Sequence, residues 1–149
     1  MSKSDEIKIT NSTGQAYFDF KRALTEITDD ILNDANEALN LAKEDAANWA
    51  KDELRKDSQA HGWKHYSKGW AVRREKSKKQ YRYIVHNATH YQLTHLLEKG
   101  HRIVTKTGRD TGKRAPAYPH IAPVNEQVPD KVDEAFKTHL AELYGAQLK

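Results

Sequence analysis

The sequence predicts an α+β fold, and three observations lead to this prediction. Apolar residues recur at spacings of three and four across residues 17–55, within a stretch that has no glycine or proline, as in an amphipathic helix. Residues 69–87 hold aromatic and β-branched residues on both sides of a charged turn, which is typical of a β-hairpin. Helical spacing returns after Pro123. The predicted architecture is a long N-terminal helix packed on a small antiparallel sheet, a short central helix, a long basic loop and a C-terminal helix.

The long helix is predicted to follow a flexible N-terminal tail. Residues 1–14 have few apolar side chains, so we expect them to be frayed and residues 15–149 to form one domain. A stripe of alanines between Ala35 and Ala50 permits another helix or a sheet to approach closely. One continuous helix and two helices separated by a kink are both compatible with the pattern.

The hairpin is predicted to have strands at residues 69–74 and 80–87, with residues 75–79 as its charged tip. Tyr81, Tyr83 and Val85 share one face of the second strand, and we expect one face of the hairpin to be buried against the long helix. Because an isolated hairpin is marginally stable, Ile103 and Val104 are predicted to add a third strand.

A short central helix is predicted to end at Gly100, where the chain needs a residue that tolerates a left-handed backbone. Residues 105–117 contain no large apolar side chain, and we expect them to form a mobile surface loop. The last helix is predicted to begin near Pro123 and to close at Gly145. Pro129 either kinks this helix or marks its start.

Composition and charge narrow the classes of function. The chain has no cysteine, no run of ~20 apolar residues and no apolar leader, so we expect a soluble protein made in the cytoplasm, without disulfides or zinc-thiolate sites. Residues 1–60 hold 8 basic and 13 acidic residues, residues 61–120 hold 14 and 3, and residues 121–149 hold 3 and 5. A basic centre between acidic ends favours an anionic partner or the acidic segment of a second copy.

Residue sets for catalysis are weak in this sequence. Two histidine pairs lie four residues apart, at 61 and 65 and at 86 and 90, but Glu75 is the only carboxylate in residues 61–97, which disfavours a metal site. The glycines at 108 and 112 have the wrong spacing for a phosphate loop, and Pro116 prevents the helix that such a loop opens. No serine lies in a nucleophile elbow. We predict a protein that is not an enzyme and has no metal or cofactor, with a histidine metal enzyme as the weakest alternative.

Two basic segments are candidate binding surfaces. The hairpin carries the first, for nucleic acid or a neighbouring subunit: Arg73, Arg74, Lys76, Lys78, Lys79 and Arg82. The predicted loop carries the second, for a partner: Lys106, Arg109, Lys113 and Arg114. Cations among aromatic residues such as Trp70 and Tyr83 suit single-stranded nucleic acid. Aromatic residues in alternating strands are, however, more often core residues, and lysines at a hairpin tip often protect a strand edge.

Two short motifs are similar to a known pattern. Residues 96–101 are Leu-Leu-Glu-Lys-Gly-His and residues 119–123 are Pro-His-Ile-Ala-Pro, with a loop rich in Gly, Arg and Lys between them. With the order of elements over residues 17–143, they resemble the tail-component family of long-tailed bacteriophages, whose members are described as head-tail joining or tail-completion proteins. Lys99 stands where that family often has an aromatic residue, and Ala122 where it often has arginine. We assign a structural role to these motif residues: Glu98, Gly100, His101, Pro119, His120, Ile121 and Pro123.

The resemblance implies a non-enzymatic virion protein that assembles as a ring, expected to be a hexamer, at the head-proximal end of the tail. Its partners would be copies of itself and the phage head-completion and tail-tube proteins, with genomic double-stranded DNA passing through the lumen and within reach of non-specific contact; no membrane is expected. A ring needs heterologous contacts, for which the acidic first helix and the two basic segments are candidates. His120 and Ile121 have two interpretations, a buried core anchor and a partner contact. A nucleic-acid-binding protein is the alternative function.

Overall fold

The computed structural model describes residues 6–24, 28–78 and 80–148, with side chains described as far as Tyr144. It confirms the α+β prediction. Along these residues the elements are β1 (Ile7–Ile9), α1 (Ala16–Ala23), α2 (Asp29–Ala60), α3 (Lys64–Lys68), β2 (Trp70–Ser77), β3 (Gln80–Asn87), α4 (Tyr91–Lys99), β4 (His101–Val104), β5 (Asp110–Ala115) and α5 (Ile121–Leu148).

The main sheet has three antiparallel strands in the order β1-β3-β2. The predicted β2–β3 hairpin is confirmed, although β2 continues to Ser77 and so includes part of the predicted tip. The third strand is not Ile103 and Val104. It is β1, which lies in the segment predicted to be a frayed tail, and this part of the tail prediction is wrong. Ile7 and Ile9 are buried against the sheet, but three residues are too short a pattern to stand out in the sequence.

Ile103 belongs instead to a second, two-stranded sheet formed by β4 and β5. We call residues 101–115 the arm. The prediction of a loop at residues 105–117 is therefore wrong for β5, while residues 105–109 form the turn between the strands. A strand that is exposed on both faces needs no apolar side chains, so its composition resembles that of a loop.

The first predicted helix is two helices, α1 and α2, which was one of the two alternatives. Thr28 begins α2, and its Oγ1 accepts a hydrogen bond from the Ile31 N–H at 3.3 Å. The prediction that α4 ends at Gly100 is confirmed. Helix α5 begins at Ile121, two residues before the predicted start, and is continuous through Pro129 and Gly145, so a start at Pro129 and an end at Gly145 are both wrong.

The core lies where α2 packs on α5 on one side and on the sheet on the other. The alanine stripe of α2 is buried, which confirms that it allows close packing, and Val132 and Phe136 of α5 are buried as well. Tyr83 and Val85 of β3 also belong to the core, as expected for the face that meets the helix. In the part of the chain that the structure describes, no helix combines the length and the apolar character that crossing a membrane requires.

Candidate functional site

The base of the arm is a buried junction between the end of α4 and the start of α5. Oε2 of Glu98 accepts hydrogen bonds from the backbone N–H groups of His120 at 2.8 Å and Ile121 at 2.9 Å, and Oε1 accepts from that of Ala122 at 2.9 Å. The first turn of a helix leaves its N–H groups without partners inside the helix, and its dipole favours a negative charge there. Glu98 therefore caps α5 from another element. Pro123, the next residue, has no N–H to satisfy.

The pKa of Glu98 reports the strength of this cap. Burial alone would raise the pKa, but the hydrogen bond with the His120 side chain and those from the backbone of Ile121, His120 and Ala122 lower it to about 2. Glu98 is consequently ionised at neutral pH although it is only 8% exposed.

His120 extends the junction into the core. Its Nδ1 lies 2.9 Å from Oε2 of Glu98 and 2.9 Å from the carbonyl oxygen of Tyr118, and its Nε2 lies 2.8 Å from the hydroxyl of Tyr66. Because both neighbours of Nδ1 are acceptors, Nδ1 carries the proton, and Nε2 accepts from the Tyr66 hydroxyl. Trp63 and Trp70 contact the imidazole edge-on.

This sequence of carboxylate, imidazole and phenol resembles a proton relay, but it lies inside the protein. His120 and Tyr66 are 3% and 4% exposed, so they offer no surface to a substrate. Ile121 is buried with them. The core-anchor interpretation of His120 and Ile121 is confirmed.

Gly100 sets the close approach between the two strands of the arm at their base. Its φ is 75°, and a Cβ atom there would lie 2.7 Å from the carbonyl oxygen of Ala115 and 3.2 Å from the nitrogen of Ala117. The Tyr118 N–H also donates to the carbonyl oxygen of Leu97 at 2.6 Å. His101 begins β4 opposite Ala115, and Pro119 leads into the capped helix. The two motifs that are apart in the sequence are therefore one structural unit.

The arm carries the four predicted partner-binding cations on an open surface. Every residue from 102 to 114 is exposed. Among the described residues no carboxylate lies within ion-pair distance of these four side chains: Lys106, Arg109, Lys113 and Arg114. Arg102 pairs with Asp110 at 3.3 Å. Ile103 and Val104 are 40% and 53% exposed, so the arm is apolar as well as basic.

The cations of the β2–β3 hairpin are arranged differently, because most of them have internal partners. Glu75 bonds to Arg73 at 3.3 Å and to Nε of Arg82 at 3.1 Å, and the hydrogen bond from Arg82 is the main reason that its pKa is lowered. Arg74 lies over the ring of Tyr81 at 4.7 Å, and Lys76 lies over it at 5.8 Å.

The remaining hairpin residues bear on the prediction of a stacking surface. Lys78 occupies the turn with a φ of 55°, and Lys79 lies outside the described residues. Trp70 and Tyr83 are 1% and 3% exposed, so both are core residues and neither presents a ring for a nucleobase.

The histidine pairs do not converge. His86 lies in β3 and His90 precedes α4, while His61 ends α2 and His65 lies in α3. Within the described ranges, no group of three His, Cys, Asp or Glu residues is arranged to hold a metal ion.

Sequence reasoning missed two residues that support the junction. Asn87 Oδ1 accepts from the N–H of His90 at 2.8 Å at the start of α4, and its Nδ2 donates to the carbonyl oxygen of Tyr66 at 2.7 Å. An asparagine just before a predicted helix is a capping signal that could have identified Asn87. No local signal could have identified Tyr66, which is 54 residues from His120.

Comparisons with known proteins give no match, whether to protein-family models, to curated proteins or to solved structures. The resemblance to the tail-component family therefore rests on the two motifs and on the order of the elements.

Proposed function

We propose that this protein is a non-enzymatic virion component that joins a long phage tail to the head-completion complex, as a ring through which DNA passes. The observation that supports the proposal most is the junction at Glu98. The residues that resemble the family pattern lie in two separate segments, and in this fold they have one shared task, which is to close the base of the arm and start α5.

The distribution of surface chemistry also supports a structural assembly role. An arm with unpaired cations and exposed Ile103 and Val104 is suited to docking, and it differs from the acidic exposed side of α2. Two unlike surfaces on one chain are what a heterologous ring contact requires. The virion location follows from this role.

Electron microscopy of particles produced without this protein tests the proposal. Separate filled heads and complete tails are the expected result, and supplying the wild-type chain in the producing cell should restore joined particles. Joined, infectious particles in its absence would contradict the proposal.

Nucleic-acid binding is the alternative function, and the four unpaired cations of the arm favour it. A protein that neutralises several phosphates loses affinity steeply as salt rises. The alternative therefore predicts strongly salt-dependent binding to DNA that falls after charge reversal at Lys106 and Arg109. Joining predicts head-tail attachment without measurable DNA affinity at moderate salt.

A further inference from the structure

The arm has a surface that nothing in its own described chain covers. Its strands are hydrogen-bonded to each other and to no other described strand, and all its side chains from 102 to 114 are exposed. A two-stranded hairpin alone in water is marginally stable, and three or more strands or a packed helix are normally needed. The arm is therefore suited to rest on another surface.

The chemistry of the arm indicates an acidic surface with an apolar spot. Arg102 is directly opposite Arg114 in the β4–β5 register, and like charges in directly opposite positions repel. Asp110 offsets only one of the two arginines, so carboxylates from outside would stabilise this pair. Ile103 and Val104 need apolar contact, which a phosphate backbone does not supply.

Helix α2 carries such a surface. Its exposed residues at spacings of three and four form an acidic stripe: Asp30, Asn33, Glu37, Leu41, Glu44 and Asp52. Leu41 is 39% exposed in the middle of it, and neither Glu37 nor Glu44 has an ion-pair partner among the described residues. A cleft of about 330 Å³ lies along this stripe, between α2 and the hairpin residues Arg74 and Tyr81.

We infer that the arm of one copy docks on the acidic stripe of a second copy. Ile103 and Val104 pack on Leu41, while Lys113 and Arg114 lie against Glu37 and Glu44. This inference rests on the proposed ring and names its contact surfaces. Because the arm and the stripe are different patches, the contact is heterologous and can close into a ring.

Charge exchange between two variants tests this pairing. The arm-reversed chain carries Lys113→Glu and Arg114→Glu, and the stripe-reversed chain carries Glu37→Lys and Glu44→Lys. Each variant alone should lose association by about tenfold or more, because both of its surfaces then have the same sign. An equimolar mixture should recover it, since each arm again meets a stripe of opposite charge. Sedimentation and native mass spectrometry measure the association, and circular dichroism confirms that both variants are folded.

Cysteine cross-linking detects the same contact even when it is weak, and the chain has no cysteine of its own. A mixture of Val104→Cys and Leu41→Cys chains should form a disulfide-linked dimer under mild oxidation. A mixture of Val104→Cys with Lys56→Cys, an exposed position near the far end of α2, is the matched control and should form much less.

Three outcomes would overturn the inference. The first is equal cross-linking in the two mixtures, and the second is a mixture of reversed variants that fails to recover association. The third is an arm that binds DNA, seen as DNA affinity that falls in the arm-reversed chain and rises in the stripe-reversed chain. If the wild-type chain still joins heads to tails in any of these cases, the proposed function stands and only this pairing fails.

Discussion

Glu98 and His120 bond to each other through both the main chain and the side chain. The carboxylate accepts from the His120 N–H at 2.8 Å, and the same Oε2 lies 2.9 Å from the imidazole Nδ1. This pair ties the end of α4 to the start of α5 across 22 residues, and the arm lies between the two ends. The arm is thus held at its base while its surface remains open.

Removing the charge of the cap should destabilise the fold. Glu98→Gln replaces one of two acceptor oxygens with a donor, so buried N–H groups lose their partner, and we expect a loss of about 2–4 kcal/mol in the free energy of unfolding. Urea denaturation measures it. Glu126→Gln, at an exposed position of the same helix, is the control and should change the value by less than about 0.5 kcal/mol. Equal effects of the two substitutions would contradict the role of the cap.

The contribution of Glu98 should also depend on pH. Its folded pKa of about 2 lies below the ordinary value, so its stabilisation is present above about pH 4.5 and is lost as the pH falls toward 2. The difference in unfolding free energy between wild type and Glu98→Gln should therefore shrink in acid, by up to about 3 kcal/mol. A difference that stays constant from about pH 7 to about pH 3 would argue against a lowered pKa.

Gly100→Ala should damage the base of the arm more than a substitution at its tip. Gly100 and Gly112 have φ values of 75° and 76°, but a Cβ at Gly100 meets the Ala115 backbone at 2.7 Å, whereas one at Gly112 meets nothing within 4 Å. We expect Gly112→Ala to cost about 1 kcal/mol and Gly100→Ala about 2–4 kcal/mol. Thermal unfolding of the two variants compares them. Similar losses would mean that backbone conformation alone matters at Gly100.

Lys43 should make the protein more stable in moderately alkaline solution. Its Nζ is buried and donates to Oδ1 of Asn11 at 2.6 Å and to the carbonyl oxygen of Tyr81, and burial lowers its pKa to about 8. The unfolded chain then binds more protons between about pH 8 and pH 10, so the unfolding free energy rises with pH there, by up to about 3 kcal/mol.

Lys43→Met isolates this effect, because the variant lacks the titrating group while the tyrosines whose pKa is raised remain in both proteins. The wild type should gain stability relative to Lys43→Met from about pH 8 to about pH 10. Lys56→Met, at an exposed site, should run parallel to the wild type. A parallel course for Lys43→Met as well would mean that the lysine is charged normally when folded.

Hydrophobic periodicity predicted the elements that have one buried and one exposed face, which are α2, the β2–β3 hairpin and α5. It could not predict β1, in which only Ile7 and Ile9 carry the pattern, or β5, whose side chains are nearly all exposed. In the candidate site it identified the cations of the arm and the turn at Gly100. The cap by Glu98 was beyond it, because the bond joins residues from two elements and follows no local pattern.

Head-tail joining in solution tests the central proposal most directly. Filled heads and tails purified from particles made without this protein are mixed, and joined particles are counted before and after the pure wild-type chain is added. The proposal predicts that joined, infectious particles appear only with the chain, and that the arm-reversed chain restores far fewer. If the wild-type chain produces no more joined particles than buffer, the protein does not join heads to tails.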